Sequence, residues 1–190
     1  MDGTLIETTG LITESLDHIY RKHFGRTLPY EELRALIGTP LKKQIRVFGD
    51  LETWGVDEQA ITADFIAYYE AHRSRERILQ DVVAVLIEGK RRGFPTALVT
   101  SKNLEELTNT LPRLGIADFV DTAINADDVA RPKPDPEGLR LALRRLNIPP
   151  EHLSAACYIG DTIHDMRAAR AAGIRAIGVT WGAAPRALLA

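Results

Sequence analysis

The second half of the chain alternates short apolar runs with stretches of helical apolar spacing. Short apolar runs bounded by polar or turn-forming residues predict buried strands. The helical stretches end near Gly93, Gly115 and Gly173, and glycine suits the position that ends a helix. Strands that alternate with helices in this way indicate a parallel, doubly wound sheet. The predicted strands cover residues 96–100, 119–124, 155–159 and 175–179, and the predicted helices cover 81–92, 103–114, 135–146 and 164–171.

Residues 10–78 differ because they carry only the helical pattern. Apolar residues recur at helical spacing over 11–24, 30–36, 41–48 and 57–72, without a convincing strand between them. We therefore predict an α/β core formed by residues 1–9 and 79–190, with an α-helical domain of residues 10–78 inserted into it. A length of 190 residues suits one such core with one small insert.

The composition is that of an ordinary globular protein. Hydrophobic residues make up 45% and charged residues 26%, and the formal net charge of −2 gives no reason to expect a nucleic-acid or membrane partner. No apolar run reaches membrane-spanning length and the amino terminus lacks a signal-peptide pattern, so a cytoplasmic location is expected. The single cysteine, Cys157, cannot form an internal disulfide, and its apolar neighbours predict a buried strand position.

Hydroxyl and ammonium groups follow two of the predicted strands. Thr100 and Ser101 come at the end of the strand at 96–100, where they could bind an anion or simply cap the next helix. Lys133 lies between two prolines, which restrict its backbone and suit a fixed positive charge, although lysines are usually solvated. Because ligands bind at the carboxyl ends of strands in open α/β sheets, we predict that these groups share a site.

Two carboxylates follow the predicted strand at 155–159. Asp161 comes directly after Gly160, and Asp165 lies four residues later at the start of the next helix. Carboxylate oxygens in a loop at the end of a strand are ligands that Mg²⁺ prefers. The structural alternative is that both carboxylates cap the helix, and Asp165 can do both.

The beginning of the chain, Met1-Asp2-Gly3-Thr4-Leu5, completes a set of four segments. It resembles the end of Asp-x-Asp-Gly-Thr-Leu, the first motif of the haloacid dehalogenase superfamily. Asp-Gly alone is a weak signal because it is common in turns. However, the three segments around Thr100, Lys133 and Asp161 resemble the other motifs in the family's order. The chain is most similar to the phosphoglycolate phosphatase-like and pyrophosphatase-like branch, which has a helical cap.

The resemblance implies a fold, a reaction and a role for each residue. The fold would be a Rossmann-like core with an inserted α-helical cap. The reaction would be Mg²⁺-dependent hydrolysis of a small phosphorylated metabolite through an aspartyl-phosphate. Asp2 and Lys133 would be catalytic, with Asp2 moving the proton of the leaving group. Thr100, Ser101 and Lys133 would bind the phosphate, and Asp2, Asp161 and Asp165 would serve the metal.

In the family's pattern the nucleophilic Asp stands two residues before Asp2, at the end of a hydrophobic strand. We therefore expect the nucleophile just upstream of Met1, and we expect the 190-residue chain alone to be inactive as a phosphatase. The turn Gly38-Thr39-Pro40-Leu41 is either a plain helix connection or a substrate-facing loop of the cap.

Other functions remain open at this point. A dehalogenase would not use the second Asp as an acid and base, so Asp2 favours phosphoryl chemistry. A β-phosphoglucomutase or a pyrophosphatase would carry the same four motifs. A non-catalytic binding protein of the same fold is the third alternative. The expected partner is a small metabolite, and the chain would be a monomer or a homodimer.

Overall fold

The computed structural model describes residues 1–189 and has an α/β part and a helical part. The helical part fills the region in which only helical spacing was found. Its helices are α1 Thr9–Phe24, α2 Tyr30–Ala35, α3 Leu41–Gln44 and α4 Glu58–Ala71. They begin and end close to the predicted positions, although α3 is much shorter than the predicted helix at 41–48.

Local signals explain where the two long helices begin and end. Helix α1 ends at Gly25, which adopts a left-handed conformation with φ of 63°. Helix α4 begins after Asp57, whose side chain accepts hydrogen bonds from the backbone amides of Gln59 and Ala60. Tyr20 of α1 is fully buried, and its hydroxyl donates to the carbonyl of Gln44 in α3 at 2.7 Å, which links these two helices.

The α/β part contains two parallel strand pairs. Its elements are α5 Gln80–Arg91, β3 Ala97–Val99, α6 Leu104–Leu114, β4 Thr122–Ile124, α7 Glu137–Arg145, β5 Cys157–Gly160, α8 Ile163–Ala172 and β6 Arg175–Gly178. Strand β3 pairs with β4, and β5 pairs with β6, each in a regular parallel register. Helices α7 and α8 pack on these strands through Leu139, Ala168 and Ala169.

A short antiparallel pair joins the two parts. Strand β1, Ile6–Glu7, pairs with β2, Arg77–Ile78, where the chain leaves and re-enters the α/β part. A strand therefore stands at 77–78, inside the region where only helices were expected. The domain boundaries at residues 10 and 78 stay a prediction.

The two parallel pairs are separate in residues 1–189. Neither β3 nor β5 has a second strand partner in this part of the chain. A side chain links them, because the Tyr158 hydroxyl donates to the Val99 carbonyl at 2.8 Å. The backbone edges of β3 and β5 therefore stay available to a further strand.

The predicted buried position of Cys157 is wrong, although its strand assignment is right. Cys157 is exposed, and Ile159 on the same face of β5 is 39% exposed. Strand side chains alternate between faces, so Tyr158 packs against the core while Cys157 and Ile159 face away. Because residues on both faces of the strand are apolar, the sequence pattern did not show which face is exposed.

In the described part of the chain, every helix is too short or too polar to cross a lipid bilayer.

Candidate active site

A cavity of about 200 Å³ lies between the helical part and the ends of the strands. The structure brings all of the candidate residues to its wall, from segments far apart in sequence. Their chemical roles stay predictions, but their convergence is a property of the fold. The candidate residues that line the cavity are Asp2, Thr100, Ser101, Lys133, Asp161 and Asp165.

Asp161 is buried at the end of β5 and its carboxylate accepts two hydrogen bonds. The Thr4 hydroxyl donates to it at 2.9 Å, and the Ala183 amide donates at 2.8 Å. Burial raises the pKa of Asp161, because water is withdrawn from its charged form. Among residues 1–189, no Lys or Arg side chain pairs with this carboxylate within salt-bridge distance. The site is therefore well suited to a cation supplied from outside.

Two glycines make the space that Asp161 occupies. A Cβ on Gly3 would lie 2.0 Å from one Asp161 carboxylate oxygen, and a Cβ on Gly182 would lie 2.2 Å from the Asp161 Cβ. Gly3 also has a φ of +65°, which disfavours other residues. The turn after Asp2 and the segment around Gly182 therefore close tightly around the Asp161 carboxylate.

Lys133 is fixed by a buried ion pair with Asp165. Its ammonium lies 2.7 Å from one Asp165 oxygen and donates to the Tyr158 hydroxyl at 3.2 Å. Burial lowers the pKa of Lys133, but the neighbouring Asp165 outweighs burial, so the pKa lies above its usual value. Burial likewise raises the pKa of Asp165, but Lys133 and Thr162 together hold it well below the usual range. Both groups are therefore charged at neutral pH.

The capping alternative holds for one of the two carboxylates. Thr162 is the N-cap of α8, and the Asp165 carboxylate accepts from the Thr162 amide at 2.9 Å and from its hydroxyl at 2.7 Å. Asp165 thus combines a capping role with the contact to Lys133. Asp161 does not cap the helix, since its carboxylate points to Thr4 and Ala183.

Asp2 has a partner that the sequence reasoning missed. Its carboxylate lies 3.0 Å from the Lys102 ammonium and accepts from the Thr8 hydroxyl at 3.1 Å. Burial raises the pKa of Asp2, but Lys102 outweighs it and the pKa lies below its usual value. Lys102 directly follows Ser101, so its closeness to the hydroxyl segment was a usable signal. Nothing local showed that it reaches Asp2.

The hydroxyl segment also contacts the helical part. Thr100 is buried at the end of β3, and its hydroxyl accepts from the Lys102 amide at 3.2 Å. The Ser101 hydroxyl donates to the Gly38 carbonyl at 3.1 Å. Gly38 and Thr39 line the cavity, in the connection between α2 and α3. The turn is therefore both a helix connection and part of the cavity wall, and its contact with substrate stays a prediction.

The chemistry of the donors fits a hard cation bound by few protein ligands. Among the described residues, no three His, Cys, Asp or Glu side chains form a ready-made metal cluster. The oxygens of Asp165 are already engaged by Lys133 and Thr162. Asp161, buried and without a Lys or Arg partner in residues 1–189, is the carboxylate that fits Mg²⁺, which retains several waters or substrate oxygens.

An α/β core with these residues beneath a helical insert is the architecture of one large family. The model of the haloacid dehalogenase-like hydrolases matches residues 1–179. The chain belongs to this family. The family resemblance and the fold class predicted from the sequence are both confirmed.

Individual relatives cover most of the chain. The pyrophosphatase PpaX of Bacillus velezensis is 36% identical in an alignment 190 positions long, which covers 95% of this chain and 81% of that protein. The solved structure of CbbY from Rhodobacter sphaeroides in complex with phosphate has a TM-score of 0.75 and 26% identity, covering 96% of this chain and 85% of that chain.

A further structural neighbour supports the fold alone. It is described as a predicted phosphoglycolate phosphatase from Haemophilus somnus, with a TM-score of 0.78 and 20% identity over 96% of this chain and 84% of that chain. The family match and the similarity to PpaX indicate a hydrolase with a pyrophosphatase among its relatives.

Proposed function

We propose that the protein is a Mg²⁺-dependent hydrolase of a small phosphorylated compound. The observation that carries the proposal is the meeting, in one cavity, of a fixed Lys133 ammonium and a buried Asp161 carboxylate that has no Lys or Arg partner within salt-bridge distance in residues 1–189. A phosphoryl group needs positive charge around its oxygens as it is transferred. Lys133 supplies one such charge, and Asp161 is suited to hold another.

In this proposal the polar residues have three roles: phosphate binding, positioning of Lys133 and proton transfer. Lys133 and the Thr100 and Ser101 hydroxyls bind the phosphoryl oxygens, and Asp165 positions Lys133 by the 2.7 Å contact. Asp2 moves protons. Because Lys102 favours ionised Asp2, the arrangement seen here suits the step in which Asp2 takes a proton from the attacking water.

The Asp161 carboxylate and the Asp2 carbonyl would hold Mg²⁺. The ion would neutralise charge on the phosphoryl oxygens.

The attacking carboxylate would come from the position two residues before Asp2 in the family's pattern. Attack by a carboxylate divides hydrolysis into two easier transfers through an aspartyl-phosphate. The available edges of β3 and β5 are where the strand that carries this carboxylate would lie. The helical part covers the cavity and would exclude bulk water during the reaction.

Pyrophosphate and phosphoglycolate are the substrates that we place first. The similarity to pyrophosphatase PpaX favours pyrophosphate, since that relative is more than 30% identical over nearly the whole chain. The cavity of about 200 Å³ suits a compact substrate of either kind. A mutase of the β-phosphoglucomutase kind remains the alternative, together with a non-catalytic binding role.

A substrate panel tests the proposal. The protein extended ahead of Met1 by a hydrophobic strand ending in Asp should release phosphate from pyrophosphate or 2-phosphoglycolate. A mutase would instead convert β-glucose 1-phosphate and need glucose 1,6-bisphosphate. No turnover of any phosphorylated compound by a folded, Mg²⁺-loaded protein would favour the binding role and contradict the proposal.

A further inference from the structure

The helical part contributes a basic side chain, Arg73, to the wall of the cavity. Arg73 follows α4 in the short 3-10 helix Arg73–Arg75. One terminal nitrogen of its guanidinium pairs with Glu70, and the side chain is 32% exposed. The position is remote in sequence from all four motifs, so the roles assigned so far do not account for it.

The Nε of Arg73 is buried and has no acceptor within residues 1–189. Buried polar groups in proteins are nearly always hydrogen-bonded, so a donor of this kind calls for an explanation. A guanidinium presents its N–H groups as a rigid fork that matches the oxygens of a carboxylate or phosphate. The Glu70 contact engages one terminal nitrogen, and Arg73 lines the cavity with a partly exposed side chain, so the other terminal nitrogen is left for an acceptor in the cavity.

Lys102 approaches the same cavity from the α/β part. Its side chain is only 13% exposed, and its ammonium lies 3.0 Å from Asp2 and 5.9 Å from the centre of the Tyr69 ring. An ammonium has three donors, so the contact with Asp2 leaves others for a ligand. Lys102 therefore brings positive charge next to α4, the helix that precedes Arg73.

The other carboxylates of the cavity wall repel a bound anion only weakly, because each is paired, hydrogen-bonded or exposed to solvent. Glu76 pairs with Arg113, and Glu106 accepts a hydrogen bond from the Asn103 amide at the start of α6. Glu105 is exposed to solvent, where its charge is screened.

The size of the cavity limits what such an anion can belong to. Its volume is about 200 Å³, whereas pockets for drug-sized ligands measure about 300–1,000 Å³. The cavity therefore favours a compact substrate, with its second anionic group close to the phosphoryl group.

We infer that Arg73 and Lys102 form a second oxyanion subsite, which selects compact phosphoryl compounds with a second anionic group. That group is a second phosphoryl group, as in pyrophosphate, or a carboxylate, as in 2-phosphoglycolate. The inference rests on the proposed function, because it places the scissile phosphoryl group at Lys133. Arg73 binds the second anion and takes no part in the chemistry.

Calorimetric titration measures this selectivity directly. The ligands are inorganic phosphate, pyrophosphate, 2-phosphoglycolate and ethyl phosphate, which lacks a second anion. They are titrated at fixed Mg²⁺ into the version extended ahead of Met1 by a hydrophobic strand, with Asn at the nucleophile position to prevent turnover. The protein should bind pyrophosphate or 2-phosphoglycolate at least about tenfold more tightly than ethyl phosphate, the usual worth of a charge-assisted bond.

Arg73→Gln should remove most of that preference and change the Kd of ethyl phosphate by less than about twofold. Arg75→Gln is the matched control, since Arg75 pairs with Glu14 and lies outside the cavity wall. The ligand whose affinity falls most in Arg73→Gln identifies the second anion. An equal affinity for all ligands, or a preference that survives Arg73→Gln, would overturn the inference.

A third variant separates this inference from the proposed function. Lys133→Met should weaken the binding of every ligand, inorganic phosphate included. If phosphate binds through Lys133 while Arg73→Gln has no effect on selectivity, the second subsite is wrong and the proposed function stands. If Lys133→Met has no effect on phosphate binding, the proposed function fails and the subsite fails with it.

Discussion

Lys133 and Asp165 show how single residues define this site. Their side chains are 11% and 4% exposed, and each charge is accommodated in the interior only because the other is 2.7 Å away. Asp165 also closes the first turn of α8 through Thr162. One carboxylate therefore links the stability of the helix to the position of the ammonium that would face the substrate.

Removing the charge of Asp165 should destabilise the protein in a pH-dependent way. At neutral pH, Asp165→Asn leaves Lys133 buried without a counter-ion, which costs about 3–5 kcal/mol in comparable cases. The pKa of Asp165 is depressed in the folded state, so the stability from the pair is present above the unfolded value of about 3.9 and lost as the pH falls further.

Urea unfolding of the wild type and Asp165→Asn at several pH values checks this expectation. The gap in unfolding free energy should be largest near neutral pH and should shrink below about pH 4. The double variant Lys133→Met/Asp165→Asn serves as the control, and it should recover most of the loss because no unpaired charge remains buried. A gap of constant size at all pH values would contradict the assignment of the pair.

Asp2 should prove to be an acid and base and not a charged metal ligand. In the extended protein, Asp2→Asn keeps the backbone carbonyl that we propose as a metal ligand, so Mg²⁺ binding should persist. Turnover should fall by roughly 10²–10⁴-fold, the usual effect of removing a positioned acid or base. Metal titration and steady-state kinetics on the same sample test both parts, and lost metal binding with unchanged turnover would reverse the assignment.

Sequence reasoning found the residues of the motifs but not all their partners. Thr100, Lys133 and Asp161 were found because each stands at the end of a strand or in the loop that follows it. The Lys102–Asp2 ion pair joins residues 100 positions apart, and Arg73 belongs to no motif. Such contacts depend on how the helical part is placed over the strands, which local patterns do not encode.

Among the turns that contain glycine, the turn after Asp2 leaves the least space for an added side chain. Gly3→Ala would combine an unfavourable φ of +65° with a Cβ only 2.0 Å from Asp161. Gly25→Ala is the matched control, because Gly25 has a φ of +63° and no atom within 4 Å of the added Cβ. The control isolates the backbone cost, which is about 1 kcal/mol.

Thermal unfolding of the two variants gives the comparison. Gly3→Ala should lower Tm clearly more than Gly25→Ala, since only Gly3→Ala also displaces the Asp161 carboxylate. It should also weaken Mg²⁺ binding, while Gly25→Ala leaves Mg²⁺ binding unchanged. Equal losses of Tm with unchanged metal affinity would show that the contact around Asp161 can relax freely.

Helices were predicted better than strands, for physical reasons. Asn103 caps α6 and Gly173 ends α8, and both residue types are local signals that the amino-acid sequence carries. The strand predicted at 119–124 is only Thr122–Ile124, because Ala117–Phe119 forms a 3-10 helix. Strand limits depend on pairing with distant residues, so an apolar run alone overestimates them.

In the molecule as a whole, no strand of residues 1–189 joins the two parallel pairs, which are linked by the Tyr158–Val99 hydrogen bond and by a shared hydrophobic cluster. Free strand edges are prone to pair with other chains. We therefore expect the 190-residue chain alone to aggregate through the unpaired edges of β3 and β5. The version extended ahead of Met1 by a hydrophobic strand ending in Asp should be soluble.

Size-exclusion chromatography and thermal melting compare the two versions. The extended version should elute as a discrete monomer or dimer and melt cooperatively. The same extension with its strand residues changed to serine is the control, since it adds length without an apolar strand. If the 190-residue chain alone melts cooperatively and turns over substrate, the expected role of the extension is wrong.

Phosphate release by the extended protein shows whether Asp161 serves a Mg²⁺-dependent transfer of phosphate. The assay uses pyrophosphate, 2-phosphoglycolate or p-nitrophenyl phosphate, with Mg²⁺ or with excess EDTA. We predict that EDTA abolishes release, that added Mg²⁺ restores it, and that Asp161→Asn removes most activity at any Mg²⁺ concentration because a ligand charge is lost. Full release in EDTA, or wild-type release by Asp161→Asn, would contradict the account.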